Sequence, residues 1–187
     1  MKTLENKVAL VTGASRGIGA AIASELAKNG AAVVVNYAGG KAAADETVAA
    51  IVAAGGKAIA VQADVSKSDD VAHLFDEAIA AFGKVDILVN NAGIMITKLI
   101  KDTTDEDYTR QFDINVKGTF NTLREAATKL ANNGSVMTGP GTNTYLIGGG
   151  ERNEWAVIDP GPLDARHVDA VLAAAPGPIR QIFVTHT

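Results

Sequence analysis

The chain has 187 residues, 47% of them hydrophobic, which is enough for one domain of ordinary size with a sizeable core. The formal net charge of −4, with both signs mixed along the chain, excludes the clustered basic surface of a nucleic-acid-binding protein. The absence of cysteine excludes disulfides, thiolate nucleophiles and cysteine-based zinc sites, and no apolar run approaches the roughly 18 residues that span a membrane.

The N-terminal residues, MKTLENKVALVTG, do not have the pattern of a signal peptide, so we expect a cytoplasmic location. From residue 7 onward, short β-branched segments alternate with amphipathic ones. The predicted strands are 7–13, 31–37, 57–65 and 85–93, and the predicted helices are 19–30, 41–56, 66–83 and 105–132. This alternation predicts an α/β fold with a doubly wound parallel sheet and helices on both faces.

The pattern changes after Val136. TNTYLIGG and EWAVIDPGP predict two strands, DARHVDAVLAAA predicts a helix, and PIRQIFVTHT predicts a further strand, in the order ββαβ. All five prolines lie at or beyond Pro140. We therefore predict two domains, 1–136 and 137–187, in which the second extends or covers the first sheet, and GSVM can begin a fifth strand of that sheet.

Three glycines, Gly13, Gly17 and Gly19, follow the first predicted strand directly and precede the first helix. Glycines allow a tight turn and a close approach to a pyrophosphate, and the following helix N-terminus offers free N–H groups. The strand–turn–helix context predicts a dinucleotide site in a Rossmann-like sheet with strand order 3-2-1-4.

The spacing G-x-x-x-G-x-G resembles that of the short-chain dehydrogenase/reductase family. Asp64-Val65, NNAG at 90–93 and Asn115 in DINVKG extend the resemblance over residues 5–135. It implies that Asp64 and Val65 border the adenine and that Asn115 is the catalytic asparagine, which helps to hold a proton-relay water. The predicted cofactor-binding residues are Gly13, Ser15, Arg16, Gly17, Ile18, Gly19, Asn36, Asp64, Val65, Asn91, Ala92 and Gly93.

The end of the second predicted strand favours NADP over NAD. NAD enzymes usually hold the ribose 2′-OH with a carboxylate at this point. Here the strand ends at Asn36-Tyr37, and no acid follows until Asp45. Arg16 in the glycine loop can pair with a 2′-phosphate; the alternative is that it is only a solvated loop residue.

The resembled family places its proton donor, a Tyr-x-x-x-Lys segment, beyond the helix that carries Asn115, and that segment is missing here. A lysine lowers the pKa of the tyrosine there and makes proton transfer feasible near neutral pH. In this sequence Gly149 stands four residues after Tyr145, and the last lysine is Lys129. Ser135 and Tyr145 do not match the family's catalytic segments, and we expect Tyr145 to be a structural strand residue.

Residues 137–187 resemble the N-terminal part of the metallo-β-lactamase superfamily. On that comparison His186 would be the first metal ligand, but a hydrolytic zinc site needs three or more protein ligands. His73 and His167 have no ligand spacing to it, and Asp159 is expected to form a turn before Pro160. We therefore predict no metal site.

The chain thus resembles two incomplete enzymes joined near Val136-Met137, an apparent chimera. Three explanations are open: the chain is a deliberate or accidental recombinant protein, it is a truncated fusion, or its recorded sequence differs from that of the real molecule. We expect an NADP-dependent oxidoreductase that acts on a small carbonyl or alcohol, competent to bind but inactive. The alternatives are a truncated metal-dependent hydrolase and a non-functional chimera. The expected partners are that small molecule and a second copy of the chain. Members of the resembled family commonly assemble through the helix that carries Asn115.

Overall fold

The structure is a computed structural model that describes residues 2–130 and the backbone of three later strands, 145–149, 154–158 and 179–183. The chain divides into two compact units, Met1–Glu125 and Ala126–Thr187. The predicted boundary at 136/137 and the predicted strand at GSVM lie outside the described residues, so both stay predictions.

The first unit contains a parallel four-stranded sheet. Its strands are β1 (Val8–Val11), β2 (Ala32–Tyr37), β3 (Lys57–Gln62) and β4 (Ile87–Val89). They pair in the order β3-β2-β1-β4, which confirms the predicted topology. Because neighbouring strands are parallel, the loops that follow them meet at one edge of the sheet, where such sheets bind ligands.

Five α-helices follow or connect these strands. They are α1 (Gly17–Lys28), α2 (Lys41–Ala53), α3 (Ser68–Phe82), α4 (Asp105–Phe112) and α5 (Gly118–Lys129). The single helix predicted over 105–132 is interrupted, because residues Asp113–Lys117 form a π-helical turn between α4 and α5. No helix within the described residues is long and apolar enough to cross a membrane.

The core of the first unit lies on both faces of the sheet. Every residue of β1 is buried, as expected of a central parallel strand covered by helices on both sides. On α3, Val71, Leu74, Phe75 and Ala78 are buried, and their spacing places them on one face of the helix. The apolar periodicity of the sequence thus corresponds to the buried faces.

The second unit contains the strands β5 (Tyr145–Gly149), β6 (Glu154–Ile158) and β7 (Ile179–Phe183), which confirms the three predicted strands. They form a sheet of their own in the order β5-β6-β7. β5 and β6 are antiparallel, and β6 and β7 are parallel. The helix predicted from DARHVDAVLAAA lies outside the described residues.

Candidate functional site

The first turn of α1, where the glycine loop ends, needs glycine for two different reasons. Gly17 has a φ of 60°, a left-handed conformation that other residues rarely adopt. At Gly19 the limit is space, because a Cβ atom would overlap the Gly13 carbonyl oxygen and lie 2.5 Å from Asn91 Nδ2. The loop therefore turns tightly and packs against the segment after β4.

The N-terminus of α1 opens into this loop. Arg16 is the N-cap residue, its backbone is extended, and no side chain caps the helix. The first-turn N–H groups and the positive end of the helix dipole are suited to a phosphate group. The Arg16 side chain is exposed, and Ile18 is 75% exposed. The backbone of Ser15 is held in place, because its carbonyl accepts a hydrogen bond from Thr47 Oγ1 at 3.0 Å.

Two asparagine side chains connect the glycine loop to neighbouring strands. Asn36 Oδ1 accepts from the Gly13 N–H at 3.2 Å, while its Nδ2 donates to the Ala63 carbonyl at 3.0 Å. Asn91 Nδ2 donates to the carbonyls of Thr12 and Gly13, at 2.9 and 3.1 Å. Asn36 is almost fully buried, so its amide is committed to the protein backbone, and its predicted contact with cofactor stays a prediction.

Thr12 is a further residue of the loop that the sequence analysis did not identify. Its Oγ1 accepts hydrogen bonds from the N–H groups of Asn91 and Ala92, both at 3.0 Å, and donates to the Val89 carbonyl at 3.3 Å. The sequence signal was a hydroxyl residue standing between a buried strand and the first glycine. Thr12 fixes the backbone of the NNAG segment against β1.

Asp64 and Val65 follow β3 at the same edge. Asp64 Oδ1 accepts from the Ser66 N–H at 3.0 Å and from Ser66 Oγ at 2.7 Å, while the Asp64 N–H donates to Asp70 Oδ2 at 2.9 Å. The buried Val65 carbonyl accepts from Asn121 Nδ2 at 2.9 Å. These bonds hold the segment in one conformation beside the site.

A cleft of about 530 Å³ opens next to Asp64, within the range of small-molecule pockets, about 300–1,000 Å³. Its lining contains one cation, Arg110, and four carboxylates, those of Asp64, Asp105, Glu106 and Asp113. The charge balance makes this part of the edge more suitable for a neutral ring, such as an adenine, than for a phosphate.

A second cleft, of about 540 Å³, lies at the opposite edge of the sheet, beside the turns at Gly30 and Gly55. None of the predicted site residues lines it. Four lysines line this second cleft: Lys2, Lys7, Lys57 and Lys84. Helix C-termini carry partial negative charge, so cations near them stabilise helices.

Asn115 lies in the π-helical turn, and its side chain bonds to the backbone of Ile94. Asn115 Oδ1 accepts from the Ile94 N–H, and Nδ2 donates to the Ile94 carbonyl, both at 2.8 Å. The Asn115 carbonyl accepts from Thr119 Oγ1 at 3.1 Å. π-helical turns often occur at functional sites. The geometry gives Asn115 a positioning contact, while its predicted catalytic role stays a prediction.

The sequence analysis also considered several residues that it did not assign to a site. Ser135, Asp159, His167, His186 and the side chain of Tyr145 lie outside the described residues. His73 is exposed on α3. Within the described part of the chain, no three His, Asp or Glu side chains are grouped so that they could hold a metal ion.

Comparison with known proteins bears on the same residues. The model of the short chain dehydrogenase family matches residues 7–138. An uncharacterized oxidoreductase of Methylorubrum extorquens is 55% identical over 137 residues, which cover 73% of this chain and 55% of that protein. Elsinochrome reductase 1 of Elsinoe fawcettii is 51% identical over 134 residues, covering 72% and 50%. The solved structure of a short chain dehydrogenase from Burkholderia cenocepacia, in complex with NADP, is 43% identical with a TM-score of 0.66, covering 69% of this chain and 53% of that one.

The chain spans about half the length of the curated relatives it matches. The family match includes the glycine loop, the NNAG segment and Asn115 and ends at residue 138, so the predicted metallo-β-lactamase resemblance of residues 137–187 stays a prediction. The parallel sheet agrees with the family's solved structures. This chain therefore belongs to the short-chain dehydrogenase family, as the resemblance over residues 5–135 predicted.

Proposed function

We propose that the chain binds NADP at the carboxyl edge of the first sheet. The glycine loop carries the proposal. At Gly19 there is no room for a Cβ atom, and the uncapped N-terminus of α1 begins in the same loop. This combination brings backbone N–H groups close to a pyrophosphate. The relative from Burkholderia cenocepacia, whose structure contains NADP, supports the same ligand.

The preference for NADP over NAD rests on the end of β2. Asn36 is buried and bonded to backbone, so it is not available to a ribose hydroxyl. The first acid after it, Asp45, is 2.6 Å from Lys41 in an ion pair. The exposed Arg16 offers a planar guanidinium, which suits a 2′-phosphate. Asn36 acts indirectly, by holding the Gly13 N–H in place.

The remaining contacts divide between the two halves of the dinucleotide. Asp64 and Val65 border the adenine, next to the acidic cleft. Asn91, Ala92 and Gly93 support the sheet beside the cofactor, since Thr12 and Gly13 hold their segment. NADP, when bound, supplies or accepts a hydride at its nicotinamide ring.

The proposed reaction class is reduction of a small carbonyl compound or oxidation of a small alcohol. The similarity to a relative named Elsinochrome reductase 1 supports this class. A proton must reach or leave the substrate oxygen during such a reaction. The family's proton donor follows the helix of Asn115, and residues 130–187 contain no Tyr-x-x-x-Lys segment. Tyr37 and Lys41 have this spacing, but they lie at the end of β2 and the start of α2, and Tyr37 is buried. We therefore propose that the 187-residue chain binds NADP without catalysing turnover, and that Asn115 positions the site.

The proposal is tested by titrating the chain with NADPH and NADH, following cofactor fluorescence, and then adding a panel of aldehydes and ketones. We expect saturable NADPH binding, weaker NADH binding, and no loss of absorbance from the reduced cofactor. An intact mass of 19.2 kDa must be measured on the same sample, so that the chain tested is the written one.

Arg16→Met separates the cofactor claim from general binding. It should weaken NADPH binding by about tenfold or more, because a charge-assisted hydrogen bond is lost, and leave NADH binding unchanged. Equal loss for both nucleotides would argue against a contact with the 2′-phosphate. Steady oxidation of NADPH by any carbonyl compound would overturn the inactivity, and absence of nucleotide binding would overturn the whole proposal.

A further inference from the structure

Residues 94–98, which follow the NNAG motif, bond to α4 and to the π-helical turn that contains Asn115, and we call these contacts the ladder. Ile94 bonds through its N–H and its carbonyl to Asn115, both at 2.8 Å. The Ile96 N–H donates to Gln111 Oε1 at 3.0 Å. Lys98 Nζ donates to Asp107 Oδ2 at 2.5 Å.

The ladder has a regular repeat. Its contacts fall on every second residue of the segment and on every fourth residue of the helix, in opposite chain directions. Two residues of extended chain advance about 6.6 Å, and four residues of α-helix advance about 6 Å. These distances nearly match, so residues 94–98, which form no regular secondary structure, can bond to successive helical positions.

The residues between the ladder contacts have a different environment. Met95 is 85% exposed and Thr97 is also exposed, whereas Ile94 and Ile96 are half-buried. The ladder therefore fixes the backbone of the segment rather than burying all of its side chains. Its middle contact, through Gln111, uses a neutral amide, so it does not depend on pH as the Lys98–Asp107 pair does.

The ladder also has a fixed connection to the glycine loop. Asn91 bonds to the Gly13 carbonyl, and Gly93 lies against Asn115, since a Cβ added there would be 3.4 Å from Asn115 Oδ1. On the proposed function, the adenine lies beside Asp64 and Val65, which follow β3, the strand farthest from β4 in the order β3-β2-β1-β4. A dinucleotide that crosses the glycine loop therefore extends its other half toward β4, where the ladder begins.

We propose that Gln111 is a positioning residue for the nicotinamide half of the cofactor. Through Ile96 it keeps residues 94–98 on the helix, and this fixes the backbone at Gly93 and Ile94. The inference rests on the proposed NADP site and adds a residue that lies one helical turn before Asn115.

The test uses the full chain and two substitutions. Gln111→Met removes the acceptor and keeps the length of the side chain, whereas Gln111→Glu keeps an oxygen acceptor for the Ile96 N–H. Calorimetry measures the affinity of each protein for NADPH and for adenosine 2′,5′-bisphosphate, which lacks the nicotinamide half. Amide hydrogen exchange at Ile96 reports whether the contact is broken.

Gln111→Met should weaken NADPH binding by about three- to tenfold, the effect of one lost hydrogen bond, with no change for the bisphosphate. Gln111→Glu should restore NADPH affinity to within about twofold of the original. Unchanged NADPH affinity in Gln111→Met, or equal loss for both ligands, would overturn the positioning role alone. If the unsubstituted chain binds neither ligand, the proposed function fails, and the positioning role fails with it.

Discussion

Three atoms of the site lie so close to Gly19 that there is no room for a Cβ atom. The Gly13 carbonyl, Asn91 Nδ2 and the Ala14 Cα all lie within 2.9 Å of the point where a Cβ would be placed. Two of these atoms are backbone and cannot move independently. The close approach that suits the loop to a phosphate therefore makes this position intolerant of any side chain.

Gly19→Ala is expected to lower the free energy of unfolding by about 1–3 kcal/mol, the usual cost of overpacking, and to abolish NADPH binding. Gly39→Ala is the matched control, because no atom lies within 4 Å of a Cβ added there. Urea unfolding followed by circular dichroism measures both. A Gly19→Ala protein as stable as the original would contradict the packing described for this loop.

Asn36, at the end of β2, has a structural role that the sequence analysis did not identify. It occupies the place where NAD enzymes have an acid, but its amide acts as acceptor for Gly13 and donor for Ala63 at once. A carboxylate can replace only the acceptor. The side chain is 1% exposed, so an added charge would also be desolvated.

We therefore expect Asn36→Asp to destabilise the fold by at least about 1–3 kcal/mol, the cost of an unpaired buried group, and not to create a preference for NADH. Gln62→Glu makes the same chemical change at an exposed residue whose Nε2 donates to Ala38, and its effect should stay within about 0.5 kcal/mol. Thermal unfolding and parallel NADH titrations decide the matter. Tight NADH binding by a stable Asn36→Asp protein would show that the amide has no structural role.

Among the elements, α4 is fixed at its beginning by side-chain hydrogen bonds. Thr104 accepts from the Asp107 N–H, and Asp107 accepts from the Thr104 N–H, which together form a capping box. Lys98 donates to the same carboxylate. The hydrogen bond from Lys98, together with that from the Thr104 backbone, holds the pKa of Asp107 below its usual value of 3.8.

This lowered pKa has a defined consequence for pH dependence. A carboxylate whose pKa is lower in the folded chain stabilises the fold fully above pH 3.8, and this contribution is lost as the pH falls through the folded value. Lys98→Met should raise the pKa of Asp107 toward 3.8, because the largest cause of the shift is removed. A carbon-detected NMR titration of the Asp107 carboxyl group measures it. Lys101→Met, at an exposed lysine of the same loop, is the control and should leave that titration unchanged.

For the molecule as a whole, α4, the π-helical turn and α5 expose a series of apolar side chains. Tyr108, Phe112, Val116 and Phe120 are each between 49% and 60% exposed. Their spacing of four residues favours one side of a helix. The rings of Tyr108 and Phe112 stack at 4.3 Å. Contiguous exposed apolar surface often marks an interface with another protein.

We expect this surface to be an interface between two copies of the chain, as the sequence analysis anticipated for the helix of Asn115. In analytical ultracentrifugation, the sedimentation coefficient should increase with protein concentration. Val116→Asp combined with Phe120→Asp should hold the chain as a monomer, because each introduced charge would have to be desolvated. Ala80→Asp, at an exposed position of α3, should leave self-association intact. A monomer at all concentrations would contradict the expectation.

Much of the first sheet could be predicted from the sequence, because its signals are local. The β-branched runs at Val8–Val11 and Ala32–Tyr37, and the alternation with helices, determine strands and parallel pairing within short windows. The glycine spacing likewise indicated where the chain turns. The exception is Asp113–Lys117, where helical periodicity continues and the π-helical turn has no separate sequence signal.

Local sequence patterns were sufficient to predict the α/β fold of residues 7–130, the glycine loop and the family. The side chains that bond to backbone partners became evident only in the folded chain: Asn36 bonds to Gly13 and Ala63, Gln111 to Ile96, and Asn115 to Ile94. These contacts join residues 15 to 27 positions apart. These contacts form only when the strand register and the position of each loop against its helix are correct. Both are set by the packing of the whole sheet rather than by any local run of residues.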